Sequence, residues 1–369
     1  MSWALWITGL PGSGKSVLAR GTAARLRARG VPVVVLELDA IRKVVTPVPT
    51  YGVAERDVVY RALVYMARAL VDAGVPAIID ATGHRRLWRD LARDAISRFA
   101  EVHLVCALDV CRARERARTA GHAPRGIYAQ AGRPGAAVPG VDVAYEPTRA
   151  PELTIDTAVE DEAAAVERIV KVAEQLGAKP VRRAAKPAPG WAIWITGLPG
   201  SGKTTLAWSA AEALEGEGIP VRVLELAELR HALLVDRPES AALRDVVHRA
   251  LVYTAKLLTE QGVAVIVDAT APRRAWRELA RELIGHFAEV QLVCPSGLCG
   301  TRERATRWGL AGGARVRGSA PLAAAPEIAL DYERSLCPDL ILYTDVQDVG
   351  SSVEDVLHLA HHLRRREVP

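Results

Sequence analysis

Short apolar runs recur along the chain at residues 3–8, 33–38, 76–79, 102–107 and 152–155. Longer stretches with apolar positions at helical spacing separate them. Residues 54–73 show this best, with Val58, Leu63, Met66 and Leu70 on one side. The pattern predicts strands at the short runs and helices near 14–29, 54–73, 86–98, 109–118 and 160–176. Strand alternating with helix predicts a parallel sheet with helices on both faces. Ligands then sit at the carboxyl ends of the strands. Residues 121–145 are rich in Gly, Pro and Ala and read as a mobile loop.

The whole pattern is written twice. Gly9 recurs as Gly197, an offset of 197 − 9 = 188 positions. Lys15/Lys203, Arg42/Arg230, Arg56/Arg244, Arg61/Arg249, Asp80/Asp268, Trp88/Trp276 and Cys106/Cys294 keep that offset. Across 75–106 against 263–294, 20 of 32 positions are identical, which excludes accident. A period this long is a duplicated domain rather than a solenoid repeat. The offset is 187 by Tyr145/Tyr332, so the stretch in between has diverged most. The expected organisation is a first domain at 1–176, a basic Pro-rich linker at 177–190 and a second, divergent domain at 191–369.

Each copy opens on the same punctuation. Gly9-Leu10-Pro11-Gly12-Ser13-Gly14-Lys15-Ser16 follows the first apolar run, and Gly197-Leu198-Pro199-Gly200-Ser201-Gly202-Lys203-Thr204 follows its counterpart. Both fit G-x-x-x-x-G-K-[ST], the phosphate-binding loop. The glycines let backbone wrap an anion, and loop amides plus a helix N-terminus point positive charge at it. Lys15 or Lys203 would reach the β/γ-phosphates of ATP, and Ser16 or Thr204 would hold Mg²⁺. At the second run, Asp39 is followed by Arg42. A carboxylate there can serve an acceptor hydroxyl and an arginine can hold an anionic acceptor; a helix cap with a surface arginine is the plainer alternative.

Composition changes the picture little. The chain has 369 residues, half of them hydrophobic and a quarter charged, as in ordinary globular proteins. A net charge of +5 with mixed signs does not argue for nucleic acid, and the basic linker is read as extended spacer. The first residues run straight into the first strand and no apolar run reaches about 18 residues, so a soluble cytoplasmic protein is expected. Cys106, Cys111, Cys294, Cys299 and Cys337 lack the C-x₂-C spacing of a zinc or redox motif. The repeated pairs read as buried small hydrophobes.

The first copy resembles the adenylylsulfate (APS) kinases over nearly all of residues 1–176. The resemblance rests on Gly9–Ser16, on Leu36–Arg42, on Glu55-Arg56 and on Arg125-Gly126-Ile127-Tyr128-Ala129-Gln130-Ala131. It rests also on Gly140-Val141-Asp142-Val143-Ala144-Tyr145-Glu146-Pro147 and Pro151-Glu152-Leu153. It implies a P-loop NTPase fold, a three-layer α/β/α sandwich with a mainly parallel sheet, here in two tandem copies. It implies transfer of the ATP γ-phosphate to the 3′-hydroxyl of APS, giving PAPS for sulfate assimilation. Lys15, Asp39 and Thr82 would then be catalytic, and Asp39, Arg42, Arg56, Arg125 and Ile127 would bind APS. Mg²⁺ would be held by Ser16 of the phosphate loop and by Asp80, which is extra to this family and matches the Mg²⁺-assisting carboxylate of polynucleotide-kinase-like enzymes. APS kinases are commonly homodimers, so the fused copies could form an intramolecular pseudo-dimer.

The chain departs from that pattern in places. Val59 replaces the family's Asn, and Asp80-Ala81-Thr82-Gly83 replaces Phe-Ile-Ser-Pro. Asp-Ala-Thr at a strand end is similar to polynucleotide-kinase-like enzymes, which keeps another hydroxyl acceptor open. A nucleotide-binding regulatory protein is the alternative outside enzymology. In the second copy Asp39 becomes Ala227, with Glu228 beside it, and the Arg-Gly-Ile-Tyr motif gives way to a Gly/Ala-rich stretch at 309–326. That copy is read as a pseudokinase half, a kinase for another acceptor, or a weak APS kinase using Glu228.

Overall fold

The computed structural model describes residues 2–177, 189–235, 237–307 and 331–365. The chain divides into two compact units, Met1–Lys186 and Pro187–Pro369. The expected linker falls mostly outside the described residues, as does the divergent stretch at 309–326.

In the first unit β1 (Ala4–Gly9), α1 (Lys15–Ala28), β2 (Val34–Glu37), α2 (Leu38–Val45), α3 (Val53–Asp72) and β3 (Ala77–Asp80) are followed by α4 (Arg86–Ala95). Then come β4 (Phe99–Val105), α5 (Leu108–Ala117), β5 (Leu153–Asp156) and α6 (Glu162–Gln175). The strands form one parallel sheet in the order β2-β3-β1-β4-β5. Every strand hands over to a helical or loop segment at the same edge, which is where the repeated motifs gather.

Alternation along β1 builds both layers. Trp3, Leu5 and Ile7 face a buried cluster with Leu18, Leu26, Ile155, Val166 and Ile169 from α1, β5 and α6. Trp6 faces the other layer, donating from Nε1 to the Ala81 carbonyl at 2.9 Å and lying parallel to Tyr60 of α3. Tyr60 in turn stacks on Trp88 of α4 with centroids 3.9 Å apart. The Trp88 indole N–H donates to the buried Asp57 carboxylate at 2.7 Å. The repeated tryptophan therefore locks α4 to α3.

The second unit repeats this plan. It runs β6 (Ala192–Thr196), α7 (Lys203–Gly216), β7 (Val221–Glu225), α8 (Leu226–Leu233), α9 (Ala241–Glu260) and β8 (Ala264–Asp268). It continues with α10 (Arg274–Leu283), β9 (Phe287–Val293), α11 (Ser296–Arg307), β10 (Leu340–Tyr343) and α12 (Val349–Arg365). Its parallel sheet has the equivalent order, β7-β8-β6-β9-β10. Among the described residues no helix is long and apolar enough to cross a membrane.

Candidate functional site

The phosphate loop bridges β1 and α1. Gly14 has φ +94 and Gly12 φ +82, values that side chains resist. A Cβ on Gly12 would run into the Cys111 carbonyl of α5, so the loop is wedged against that helix. Lys15 is buried, and its ammonium donates to the Leu10 carbonyl at 2.9 Å. Burial pulls its pKa down, opposed by the charges of Asp80 and Asp39. The second unit repeats the geometry: Gly200 abuts the Cys299 carbonyl, and the buried Lys203 donates to the Leu198 carbonyl at 3.0 Å. A helix N-terminus, a glycine loop and a buried ammonium together make an anion site.

Asp80 ends β3 in register with Glu37 of β2 and Ile7 of β1. Burial lifts its pKa to about 6, with the Lys15 charge and a hydrogen bond to Ser16 pulling the other way and Glu37 and Asp39 adding repulsion. Its Oδ2 is buried without a hydrogen-bond partner. A hydroxyl, a carboxylate and an unpartnered carboxylate oxygen beside a phosphate loop suit Mg²⁺, a hard cation that takes one or two protein oxygens and keeps several waters. In the second unit Thr204 donates to Asp268, which burial also raises. The residues that would hold the cation are therefore present in both units.

A single cleft of about 840 Å³ runs from Lys15, Ser16 and Asp80 to Asp39, Arg42, Arg56 and Thr82. Asp39 was expected at a strand end. Instead β2 stops at Glu37 and Asp39 lies in the first turn of α2, where the helix N-terminus favours a carboxylate. Arg42, one turn on, is buried and pairs with Glu55 at 3.0 Å. Its guanidinium lies 5.1 Å from the Tyr51 ring centre, and Tyr51 adopts φ +54, a strained value for a tyrosine. Arg56 donates to the Ala137 carbonyl at 2.8 Å. Tyr60 and His84 add an aromatic wall, and burial lowers the His84 pKa to about 4. Thr82 lines the cleft while its carbonyl accepts from the Thr8 hydroxyl, which also bonds the Tyr145 hydroxyl.

Residues 121–145, read as a mobile loop, are tied down. The buried Glu115 carboxylate of α5 accepts from the Gly126 and Ile127 amides at 2.7 and 3.2 Å. Tyr128, in a 3₁₀ turn at Tyr128–Gln130, donates its hydroxyl to the Pro11 carbonyl at 2.8 Å. Asp142 accepts from the Gly132 and Val138 amides. Ile127 lines the cleft. Arg125 stands apart from the cleft-lining residues, because its guanidinium turns to the Thr119 carbonyl at 2.7 Å. Of the basic residues on α5 and at its end, Arg114 and Arg118 line the cleft and Arg112 lies over Tyr128.

Sequence reasoning missed Glu115, Tyr51, the pairing of Arg42 with Glu55, which it had quoted only beside Arg56, and the Tyr60–Trp88 stack. The fixed offset of Trp88 and Trp276 was the available signal for the last. Cys106, Cys111, Cys294 and Cys299 are buried and Cys337 is exposed. Among the described residues no three His, Cys, Asp or Glu side chains gather as a metal cluster.

A parallel sheet whose central strand feeds a glycine loop, with Ser16 and Asp80 facing it, defines a P-loop kinase. The family model described as Adenylylsulphate kinase matches residues 1–156 and again 189–342, and the chain belongs to that family, as two tandem copies. A probable adenylyl-sulfate kinase of Archaeoglobus fulgidus is 34% identical over 158 residues, 42% of this chain and 97% of that protein. An adenylyl-sulfate kinase of Synechococcus sp. (strain JA-3-3Ab) is 40% identical over 114 residues, 31% of this chain and 65% of that one. Among solved structures, the APS kinase of Mycobacterium tuberculosis in complex with AMPPNP and APS is 30% identical, with a TM-score of 0.39, over 47% of this chain and 99% of that one.

Proposed function

We propose that the first unit is an ATP-dependent adenylyl-sulfate kinase, making PAPS from APS for sulfate assimilation. One observation carries this reading: a single cleft joins the phosphate-side residues Lys15, Ser16 and Asp80 to Asp39, Arg42 and Arg56. Lys15 exchanges its Leu10 carbonyl for phosphate oxygens, and Arg118 is a second cation near it. Ser16 and Asp80 would hold Mg²⁺, which would neutralise charge on the transferred phosphoryl group. Arg42 and Arg56 hold the phosphosulfate anion by charge-assisted hydrogen bonds. Asp39 orients the 3′-hydroxyl and takes its proton as the new oxygen–phosphorus bond forms and the bond to ADP breaks. Ile127 and the tethered segment close over the nucleotide and limit water.

The test is PAPS formation by the purified full chain with ATP, Mg²⁺ and APS. PAPS should form, and Asp39→Asn should lower kcat by about 10²–10⁴-fold. Absence of PAPS under conditions that serve an authentic APS kinase would sink the proposal. Asp80 favours a second reading, phosphorylation of another hydroxyl, and an acceptor screen scored by ADP release separates the two.

A further inference from the structure

The acceptor side of the second unit has been rebuilt around its two arginines. Arg230 on α8 and Arg244 on α9 stand at the positions of Arg42 and Arg56. In the first unit these residues have different partners: Arg42 pairs with Glu55, and Arg56 donates to a backbone carbonyl. In the second unit Glu55 has become Leu243, and the residue at the offset of Tyr51 is Glu239. Its carboxylate reaches Arg230 at 3.3 Å and Arg244 at 3.4 Å. Its side chain is only 12% exposed. An aromatic ring beside one arginine has thus been exchanged for a buried anion shared between two.

Two further changes point the same way. Ala227 removes the carboxylate that would serve a hydroxyl, while Lys203, Thr204 and Asp268 keep the phosphate side intact. His248 replaces Tyr60 and stacks on Trp276 with centroids 3.6 Å apart, while Pro272 stands at the position of His84. In both units a largely buried carboxylate pairs with the first arginine; only in the second does it reach the second arginine as well.

We infer that Glu239 is a resident anion, occupying in the second unit the subsite that Arg42 and Arg56 offer to an anionic acceptor in the first, so that the second unit holds ATP and excludes APS. This rests on the proposed role of Arg42 and Arg56. An incoming phosphosulfate must displace a carboxylate tethered beside both guanidiniums, whose effective concentration is of millimolar order or above. Displacement would also leave a buried carboxylate without its partners, a costly state.

Calorimetric titration of APS into the full chain, saturated with a non-hydrolysable ATP analogue, tests it. The wild type should bind one APS per chain. Glu239→Ala, and Glu239→Tyr with the first unit's residue, should bind two, the new site gaining at least tenfold in affinity. ATP-analogue stoichiometry, measured in parallel, checks that both units remain folded; if Glu239→Ala loses a nucleotide site, Glu239→Gln decides. Two APS sites in the wild type, or one in every folded variant, overturns the inference while leaving the proposed activity standing. No site in the wild type but one in the variants upholds the inference and sinks APS binding by the first unit. No site in any of them overturns both.

Discussion

Asp80 is held between opposing demands. Burial and two neighbouring carboxylates favour its neutral form, and its pKa rises from 3.8 to about 6. Only the ionised form can hold a cation. We therefore expect kcat/KM in limiting Mg²⁺ to fall roughly tenfold per pH unit below about pH 6, in a profile that Asp80→Asn flattens. The stability of metal-free protein should run the other way. Between 3.8 and 6 the folded state keeps a proton that the unfolded chain releases. Stability from this group is full below 3.8 and is lost as pH rises through 6. In EDTA, Asp80→Asn should melt higher than wild type at pH 7 and converge with it in acid. An Asp80→Asn melting curve that tracks wild type at every pH would refute the assignment. Lys15 and Ser16 were singled out by the fixed spacing of the phosphate loop, and Asp80 only as a carboxylate at a strand end. Glu115, Tyr51 and the partner of Glu55 were not, because a carboxylate or ring acquires its role only from what the fold lays beside it. Arg125 shows the converse: a residue in a recognisable motif whose side chain turns elsewhere.

At the level of elements, the segment over the cleft hangs from one helix. Glu115 is 3% exposed and bonds two amides of that segment. Glu115→Ala leaves those amides to find other partners, a cost of about 1–3 kcal/mol confined to the segment. We expect faster limited proteolysis within 119–135 and a raised KM for ATP, with the global melting temperature little changed. The loop after β8 makes a different point. Ala271 has φ +39 where its counterpart Gly83 has φ +52. An alanine there carries left-handed strain that glycine avoids, so Ala271→Gly should stabilise the second unit by about 0.5–1 kcal/mol, read as a higher denaturant midpoint. The short α2 at Leu38–Val45 was not among the predicted helices, but the strands and the longer helices were legible from period. Their ends were not: hydrogen bonding stops β2 at Glu37 and starts α2 at Leu38, which moved Asp39 from strand to helix. The composition of 121–145 suggested mobility, yet a few side-chain acceptors suffice to fix it.

For the whole molecule, duplication was the most legible property, because identical spacing over dozens of positions survives any local ambiguity. The proposed division of labour predicts unequal knockouts. Lys15→Ala in the full chain should abolish PAPS formation, whereas Lys203→Ala should leave most of it. Equal losses, measured as initial rates at saturating ATP and APS, would mean that both units transfer phosphate. The two copies keep the phosphate-loop residues and the two arginines, and differ at Asp39/Ala227, Tyr51/Glu239 and Glu55/Leu243.

The wedge of Gly12 against Cys111, with Lys15 already seated on a carbonyl, has a kinetic consequence. A loop held by that wedge needs no rearrangement to take a nucleotide, and the ammonium has only to exchange one oxygen partner for another. Nucleotide capture should then be a single fast phase whose rate rises linearly with ATP concentration. The same contact recurs at Gly200 and Cys299, so the two units are expected to capture nucleotide equally fast and to differ in what happens after capture.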